Sequence, residues 1–287
     1  MPARLPKGLV AIAIRIVSCV VLWIAASPAM KPASPRIGFA DFHGPVLRAT
    51  QLHLVYWGFD WTASTPPPTS DQITAAVRTM MASSFMTGLH QYRSIGRGTL
   101  RDATTGTHPD APIVFDDHDV RTFLDAQFSA GTVARPDVGN RDLYVVMTPF
   151  GTSSRERGYA GEHSYYVISG RRVHFAWITH RSTLADTTAL ISHEIVEAAT
   201  DPEGSAVIGV DGTCHRPGWC EISDICSTTG VIDGVAVESY WSSADGACVL
   251  PGAPPGPPRL ARVHQGNGVV HLVVDEPRIR TARRREP

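Results

Sequence analysis

The strongest constraint on the fold is an amphipathic segment over residues 182–200, which predicts a helix that ends before Pro202. On a helical wheel, Glu197 lies about 40° from His193 and one turn further along the helix. Glu194 lies beside them at about 100°. The aliphatic side chains of the opposite face are Leu184, Ile191, Ile195 and Ala198. The pattern predicts a helix that packs one face into a core and presents a histidine and two carboxylates on the other.

The spacing of these three residues is similar to that of the H-E-x-x-H zinc helix, in which two ligands lie one turn apart and a glutamate lies next to the metal. Here His193 and Glu197 occupy the ligand positions, since a carboxylate binds zinc at a distance similar to that of an imidazole. Glu194 is the predicted general base. The sequence therefore predicts one Zn²⁺. One alternative is a simple i, i+4 ion pair on a solvated face of the helix. Another is no metal at all, with His193 and Glu197 as an ion pair in the core.

A catalytic zinc site needs a third protein ligand. The candidates for this position are, in order of preference, Glu221, His163 and Glu203. Glu221 comes first because it lies 24 residues beyond Glu197 in a segment flanked by cysteines. Glu203 follows His193 by ten residues, which is the spacing of metzincins. The residues predicted to orient the ligands from behind are Asp224 and Asp201.

Four cysteines cluster in the C-terminal part of the chain, and they are Cys214, Cys220, Cys226 and Cys248. An even, clustered set in an exported protein predicts two disulfides, for which three pairings are possible. A four-cysteine zinc site is the alternative, although the spacing contains no C-x2-C pair.

The N-terminus has the pattern of a secretory signal over residues 1–29. Arg4 and Lys7 precede an apolar stretch, and small residues up to Ala29 follow it. The apolar stretch is also about long enough for a membrane anchor, and Cys19 ends a sequence that resembles a lipoprotein box. Each interpretation places the rest of the chain outside the cytoplasm. We expect a secreted protein that contacts a membrane only if the segment is not cleaved.

Composition and charge narrow the class of protein further. The chain is 43% hydrophobic and 18% charged, which is sufficient for a core and unlike a disordered chain. Residues 38–277 contain 16 arginines and 26 carboxylates, a net charge of −10. A region with so negative a net charge repels the phosphate groups of nucleic acid, so we do not expect nucleic acid as a partner. We expect a monomer.

Apolar runs predict an α+β fold with a central sheet. The predicted strands are Leu52–Trp57, Leu143–Met147, Tyr165–Ile168 and Val173–Trp177. Besides residues 182–200, the predicted helices run from residue 70 or 71 to about 92 and over 116–130, and residues 94–112 are expected to be irregular. The domain is expected to span residues 38–250. A Pro-rich linker and a basic tail, with a strand-like stretch at 269–274, occupy residues 251–287.

Several blocks of the chain resemble the Exordium/phosphate-induced protein family. They lie at residues 43–47, 52–58, 161–164, 192–202 and 221–226, in the family's order. The string H-E-x-x-E-A-x-T-D-P followed by E-I-x-D-x-C is the most specific of them. The chain departs from the family by lacking one glycine before Pro45 and the cysteine next to the block around His163. The resemblance implies an extracellular protein with a zincin-like helix.

These features predict a zincin-like α+β domain with an active-site helix and a disulfide-rich C-terminal part. The expected function is a secreted zinc-dependent hydrolase, a metallopeptidase acting on a peptide or on a substrate associated with the cell wall. The alternative is a non-catalytic extracellular protein with a structural metal site or a role in binding wall polymer.

Overall fold

The computed structural model describes residues 38–62, 68–156, 159–210, 213 and 220–252, and the backbone of 262–266 and 269–273. These residues belong to one compact unit, 35–287. The predicted signal segment, 1–29, lies outside the described residues. Among the helices that are described, none is both long enough and apolar enough to cross a lipid bilayer.

The fold is a mixed α+β arrangement around a central sheet, as the sequence predicts. The strands are β1 (Gly38–Asp41), β2 (Gln51–Trp57), β3 (Thr99–Gly106), β4 (Val114–Phe115), β5 (Asp142–Met147), β6 (Ser153–Ser154), β7 (Gly161–Ile168), β8 (Arg171–Ile178), β9 (Val207–Val210), β10 (Thr229–Ile232), β11 (Val235–Glu238), β12 (Tyr240–Ser242), β13 (Ala247–Val249), β14 (Arg262–Gly266) and β15 (Val269–Val273). The helices are α1 (Ser70–Ala82), α2 (Ser84–Thr87), α3 (Asp117–Ala130) and α4 (Leu184–Thr200), with 3₁₀ turns at Phe59–Trp61 and Gly88–Gln91.

Five strands form the central sheet in the order β3-β2-β5-β8-β7. The first four run parallel, whereas β7 pairs antiparallel with β8. Ser169 and Gly170 form the tight turn between β7 and β8, and both have a positive φ. Strand β5 is buried over its whole length, which explains its nearly continuous apolar sequence.

Alternate side chains of the sheet enter two separate hydrophobic cores. Leu52 and Leu54 belong to the core that includes α1 and α4. Val55 and Trp57 belong to the core that includes α3, where the rings of Trp57 and Phe123 stack with 4.7 Å between their centroids. The sheet therefore lies between α1 and α4 on one face and α3 on the other.

Helix α1 is shorter than the sequence predicts. Thr69 and Gln72 form a capping box at its start. The helix ends at Ala82 because Ser83 adopts an extended backbone and its hydroxyl caps α2 instead. Helix α2 and the following 3₁₀ turn keep apolar side chains such as Phe85 in the same core. The apolar pattern therefore continues to residue 92, although α1, α2 and a 3₁₀ turn cover this range instead of one continuous helix.

The prediction that residues 94–112 are irregular is wrong, because Thr99–Gly106 form the edge strand β3. Exposed side chains alternate with half-buried ones along most of this strand. Its sequence is polar because only one face meets the protein interior, so no apolar run marks it.

The C-terminal part consists of short antiparallel hairpins, β10–β11 and β12–β13. A disulfide joins Cys226 to Cys248, with 5.7 Å between their Cα atoms. Cys220 is also disulfide-bonded, and Cys214 lies outside the described residues. The prediction of disulfides is confirmed for Cys226–Cys248, and a zinc site made of all four cysteines is excluded because three of them are oxidised. In the predicted tail, β14 and β15 form a further hairpin.

Candidate metal centre

Helix α4 carries two carboxylates into the protein interior. It contacts α1, β7, β8 and β11, and its apolar face includes the fully buried Ile191 and Ile195. Glu194 and Glu197 are each only 4% exposed, although they lie on the polar side of the helix. Strand β7 and the segment around Asp224 cover that side. The helix is therefore enclosed, and a solvated i, i+4 ion pair does not describe this face.

His193 lies among three carboxylates. Its Nε2 atom is 3.1 Å from Oε1 of Glu197 and 3.8 Å from Oδ1 of Asp224. Its Nδ1 atom is 3.3 Å from Oε2 of Glu238, which ends strand β11. The backbone N–H of Glu238 donates a hydrogen bond to Oγ of Ser192, and this bond fixes the strand against α4. One nitrogen of the imidazole thus faces two carboxylates and the other faces a third.

His163 occupies the same polar region from strand β7. Its Nδ1 atom is 3.5 Å from Oε2 of Glu194 and 3.8 Å from Oε2 of Glu197. Its Nε2 atom is 3.2 Å from the carbonyl oxygen of Asp201 in hydrogen-bond geometry, and 3.4 Å from Oε1 of Glu221. The side chain is 10% exposed. The two oxygens of Glu197 therefore face two different imidazoles.

These contacts create two sets of possible ligand atoms. His163, Glu194 and Glu197 offer atoms that lie within 4.8 Å of one another, and so do His193, Glu197 and Asp224. Imidazole nitrogens and carboxylate oxygens at such separations are the donor set that zinc and related divalent ions take. Each set can hold one ion.

Several buried oxygen atoms of the cluster lack a hydrogen-bond partner within the part of the chain that is described, and they are Glu197 Oε1, Glu221 Oε1 and Asp201 Oδ2. Oε1 of Glu197 is close to the imidazole of His193, but the two atoms are not in hydrogen-bond geometry. A buried polar atom without a partner is costly, so its presence points to a missing ligand. These residues fit a cation, which would contact the nitrogen and the oxygen together.

Burial changes the ionisation of the whole cluster. It raises the pKa of Glu197 to about 8 and those of Asp201 and Asp224 to about 6. Burial alone lowers the pKa of His193, but the nearby carboxylate of Glu197 outweighs it and holds that pKa well above its ordinary value. The pKa of His163 is raised in the same way, mainly by the charge of Glu221. Without a cation, the cluster therefore retains protons on imidazoles and carboxylates, and a cation would favour the charged forms of the carboxylates.

Local structure fixes the carboxylates in place. Oδ2 of Asp224 accepts the backbone N–H of Glu221, and the disulfide of Cys226 follows directly. A Cβ atom at Gly161 would lie 2.7 Å from Oε1 of Glu194, so the glycine allows β7 to approach α4. These constraints preorganise the cluster before any ligand binds.

The structure brings together most of the residues that the sequence singles out, and these are His163, His193, Glu194, Glu197, Asp201, Glu221 and Asp224. Asp224 lies on the Nε2 side of His193, where a ligand would lie, whereas the sequence places it behind the imidazole. Glu221 faces His163 instead of His193. Sequence reasoning missed Glu238, because no motif distinguishes it from other glutamates.

Glu203 takes a different position from the one that its metzincin-like spacing predicts. Its Oε1 atom pairs with Nε of Arg172 at 2.6 Å and with Nε2 of His174 at 3.0 Å. Helix α4 has ended by then, and Gly204 has a positive φ that redirects the chain. We therefore correct the expectation that Glu203 is a metal ligand, because an arginine already neutralises its carboxylate.

A cleft of about 410 Å³ opens beside the cluster. His163, Asp201 and Glu221 form its polar wall, and Tyr165 and Ile208 contribute apolar surface. A ligand in this cleft would reach the imidazole of His163 directly. The geometry therefore combines a buried carboxylate–imidazole cluster with access for a second molecule.

Comparisons of the chain with protein-family models, with curated proteins and with solved structures found no match.

Proposed function

We propose that this protein is a metal-dependent hydrolase whose ion is held by His193, Glu197 and Asp224. The observation that carries the proposal is Oε1 of Glu197, a buried oxygen without a hydrogen-bond partner in the described structure, 3.1 Å from an imidazole nitrogen. A divalent ion such as Zn²⁺ supplies a Lewis acid that polarises a carbonyl group and lowers the pKa of water.

The protein's own residues have distinct roles in this proposal. Glu238 faces Nδ1 of His193 and holds the imidazole with Nε2 turned towards Glu197. Glu194 would act as the general base that takes a proton from water. His163 lies between Glu194 and the cleft. A substrate carbonyl group in the cleft would therefore meet the polar end of the cluster.

The proposed substrate is a peptide or a polymer associated with the cell wall. The arrangement of α4 beside a mixed sheet with an antiparallel edge strand supports a zincin-like assignment, as does the H-E-x-x-E string. The disulfide and the signal-like N-terminus support a secreted protein. The resemblance to the Exordium/phosphate-induced family supports the same location.

The test is hydrolysis of a mixed peptide library by the folded protein, followed by mass spectrometry. Glu194→Gln should lower the rate at least about 100-fold while zinc remains at His193. Asp137→Asn is the matched control and should retain activity, because this carboxylate is paired with Arg141 and does not line the cleft. If Glu194→Gln hydrolyses the library as fast as the wild type, the proposed role of Glu194 is wrong.

A second candidate function is a structural metal site in a non-catalytic extracellular protein. The deep burial of Glu194 and Glu197 favours it, because a structural ion is usually enclosed by protein ligands. This candidate predicts that zinc stabilises the fold, that no peptide is hydrolysed, and that X-ray absorption detects four protein ligands. A ligand position open to solvent would contradict it.

A further inference from the structure

We propose that the centre holds two divalent cations, with the carboxylate of Glu197 shared between them. The first ion is that of the proposed function, on which this inference rests. The second is bound by Nδ1 of His163, Oε2 of Glu197 and Oε2 of Glu194.

The position of Glu197 is the first argument. Its Oε1 atom is 3.1 Å from His193 and its Oε2 atom is 3.8 Å from His163. The two imidazoles fall in different sets of ligand atoms, and Glu197 belongs to both sets. A carboxylate has two oxygens and can bind one ion with each. One buried side chain thus links two groups of donors, which a single-ion site does not require.

The hydrogen bonding of His163 is the second argument. Its Nε2 atom donates to the carbonyl oxygen of Asp201, so in the neutral imidazole Nδ1 carries a lone pair. That nitrogen faces the carboxylates of Glu194 and Glu197. A metal ion that bound Nδ1 would take the place of a proton there and would lie among the same two carboxylates. Metal-bound histidines commonly donate their second nitrogen to a backbone carbonyl in this way.

His193 has the same arrangement in reverse. Its Nδ1 atom faces the carboxylate of Glu238, and its Nε2 atom faces Glu197 and Asp224. Each imidazole therefore has one nitrogen towards a supporting acceptor and the other towards two carboxylates. Because the two imidazoles have similar surroundings, we assign His163 the same role as His193, that of a metal ligand.

The charge of the cluster is the third argument. Five carboxylates lie within 3.8 Å of the two imidazoles, and they are Glu194, Glu197, Glu221, Asp224 and Glu238. Two divalent ions in place of the protons of this cluster would reduce the five negative charges to a net charge of about −1. One divalent ion, with the second imidazole protonated, would leave about −2.

A protonated His163 that simply pairs with Glu194 is the competing explanation. It would place an N–H on Nδ1, pointing at a carboxylate oxygen. The 3.5 Å separation from Glu194 is not in hydrogen-bond geometry, unlike the contact between His163 and Asp201. The inference also changes the role of Glu194, which would act as a ligand of the second ion.

The experiment counts zinc in the full-length, disulfide-bonded protein after equilibrium dialysis against Zn²⁺, by elemental mass spectrometry. We expect two ions per chain in the wild type. His163→Gln keeps a donor for the carbonyl oxygen of Asp201 but removes the Nδ1 ligand, so it should bind one ion. His193→Gln should also bind one. His43→Ala alters an exposed histidine beside Asp41 and should retain two.

The possible outcomes separate this inference from the proposed function. One ion in the wild type that His163→Gln retains would overturn the second site and leave the proposed function intact. Two ions that persist in His163→Gln would also overturn it. Failure of the wild type to bind zinc would overturn both proposals.

A measurement on the wild type covers the case in which His163→Gln does not fold. Two equivalents of Mn²⁺ should give an electron paramagnetic resonance spectrum without the six-line signal of isolated Mn²⁺, because a shared carboxylate couples the two ions. Persistence of the isolated signal at full loading would contradict the shared ligand.

Discussion

His53 and His193 both have carboxylate neighbours, yet their surroundings differ. His53, in β2, lies between Asp102 and Asp142, at 2.9 and 3.2 Å, and both contacts have hydrogen-bond geometry. His193, in α4, also lies close to carboxylates, but Oε1 of Glu197 has no hydrogen-bond partner in the described part of the chain. The first histidine is hydrogen-bonded within the protein, whereas the contacts of the second also fit a cation.

The difference shows how to separate a structural ion pair from a candidate metal site. At His53, both ring nitrogens hydrogen-bond to a carboxylate, and the backbone N–H of Asp137 satisfies the second oxygen of Asp142. Oδ1 of Asp102 has no hydrogen-bond partner in the described part of the chain, so a single unpartnered oxygen does not separate the two clusters. At the candidate metal centre, five carboxylates face two imidazoles, and none of these contacts has hydrogen-bond geometry. Hydrogen-bond geometry, rather than proximity alone, distinguishes the two clusters.

The largest expected effect is that of zinc on stability. At a free Zn²⁺ concentration about 1,000 times the dissociation constant, the ion at His193 should raise the free energy of unfolding by about 4 kcal/mol. Chemical denaturation with and without zinc measures this gain. His193→Ala should lose the contribution of this ion and keep that of an ion at His163, whereas His53→Gln should keep the whole gain. If zinc stabilises His193→Ala as much as it stabilises the wild type, the proposed distinction between the two clusters is wrong.

The next effect concerns His53 and pH. Burial lowers the pKa of His53, but hydrogen bonds to Asp102 and Asp142 outweigh it and raise the pKa to about 9. The folded state therefore binds the proton more tightly, so this stabilisation is complete below pH 6.5 and is lost as the pH rises through 9. His53→Gln should lower the free energy of unfolding by about 2 kcal/mol at pH 6.

Denaturation curves at pH 6 and pH 9.5, measured without zinc, test this prediction. The difference between His53→Gln and the wild type should shrink at the higher pH. A difference that grows with pH would show that His53 is not held as a cation.

A smaller effect is expected for Glu238, which supports His193 from behind. Glu238→Gln keeps the size of the side chain and removes its charge. Because such supporting partners tune metal ligands, zinc affinity should fall about 10-fold. Isothermal titration with Zn²⁺ measures the change, and Glu203→Gln serves as the control with unchanged affinity. If the zinc affinity of Glu238→Gln equals that of the wild type, Glu238 does not support the metal-binding residues.

The smallest predicted effect tests how closely β7 approaches α4. A Cβ atom at Gly161 would lie 2.7 Å from Oε1 of Glu194, so Gly161→Ala should displace that carboxylate and cost about 1 kcal/mol of stability. Zinc binding and thermal denaturation report the two consequences. Gly38→Ala is the control, because its nearest contact is an ordinary 3.6 Å. Equal behaviour of both variants would mean that Glu194 is not constrained by β7.

The sequence predicted the parts of this molecule that depend on local pattern. Helix α4 and strand β5 were predictable because an apolar period or run marks each. Strand β3 was not, because its polar edge sequence lacks such a run. The end of α1 was missed because the hydroxyl of Ser83 caps the next helix, a choice that apolar spacing does not encode.

The candidate site was predictable only where its residues lie on one element. Residues His193, Glu194 and Glu197 follow from helical spacing. The approach of His163 depends on the pairing of β7 with β8, and the position of Glu238 depends on how β11 packs against α4. These are tertiary contacts, so the order of ligands around the centre could not be read from spacing. The position of Glu203 was mispredicted for the same reason.

The most direct test of the central claim is a crystal structure of the zinc-soaked protein with diffraction measured on both sides of the zinc absorption edge. The account predicts an anomalous peak about 2.0–2.2 Å from Nε2 of His193 and from Oε1 of Glu197. The absence of a peak at His193 at full zinc loading, or a peak at His53 instead, would contradict it.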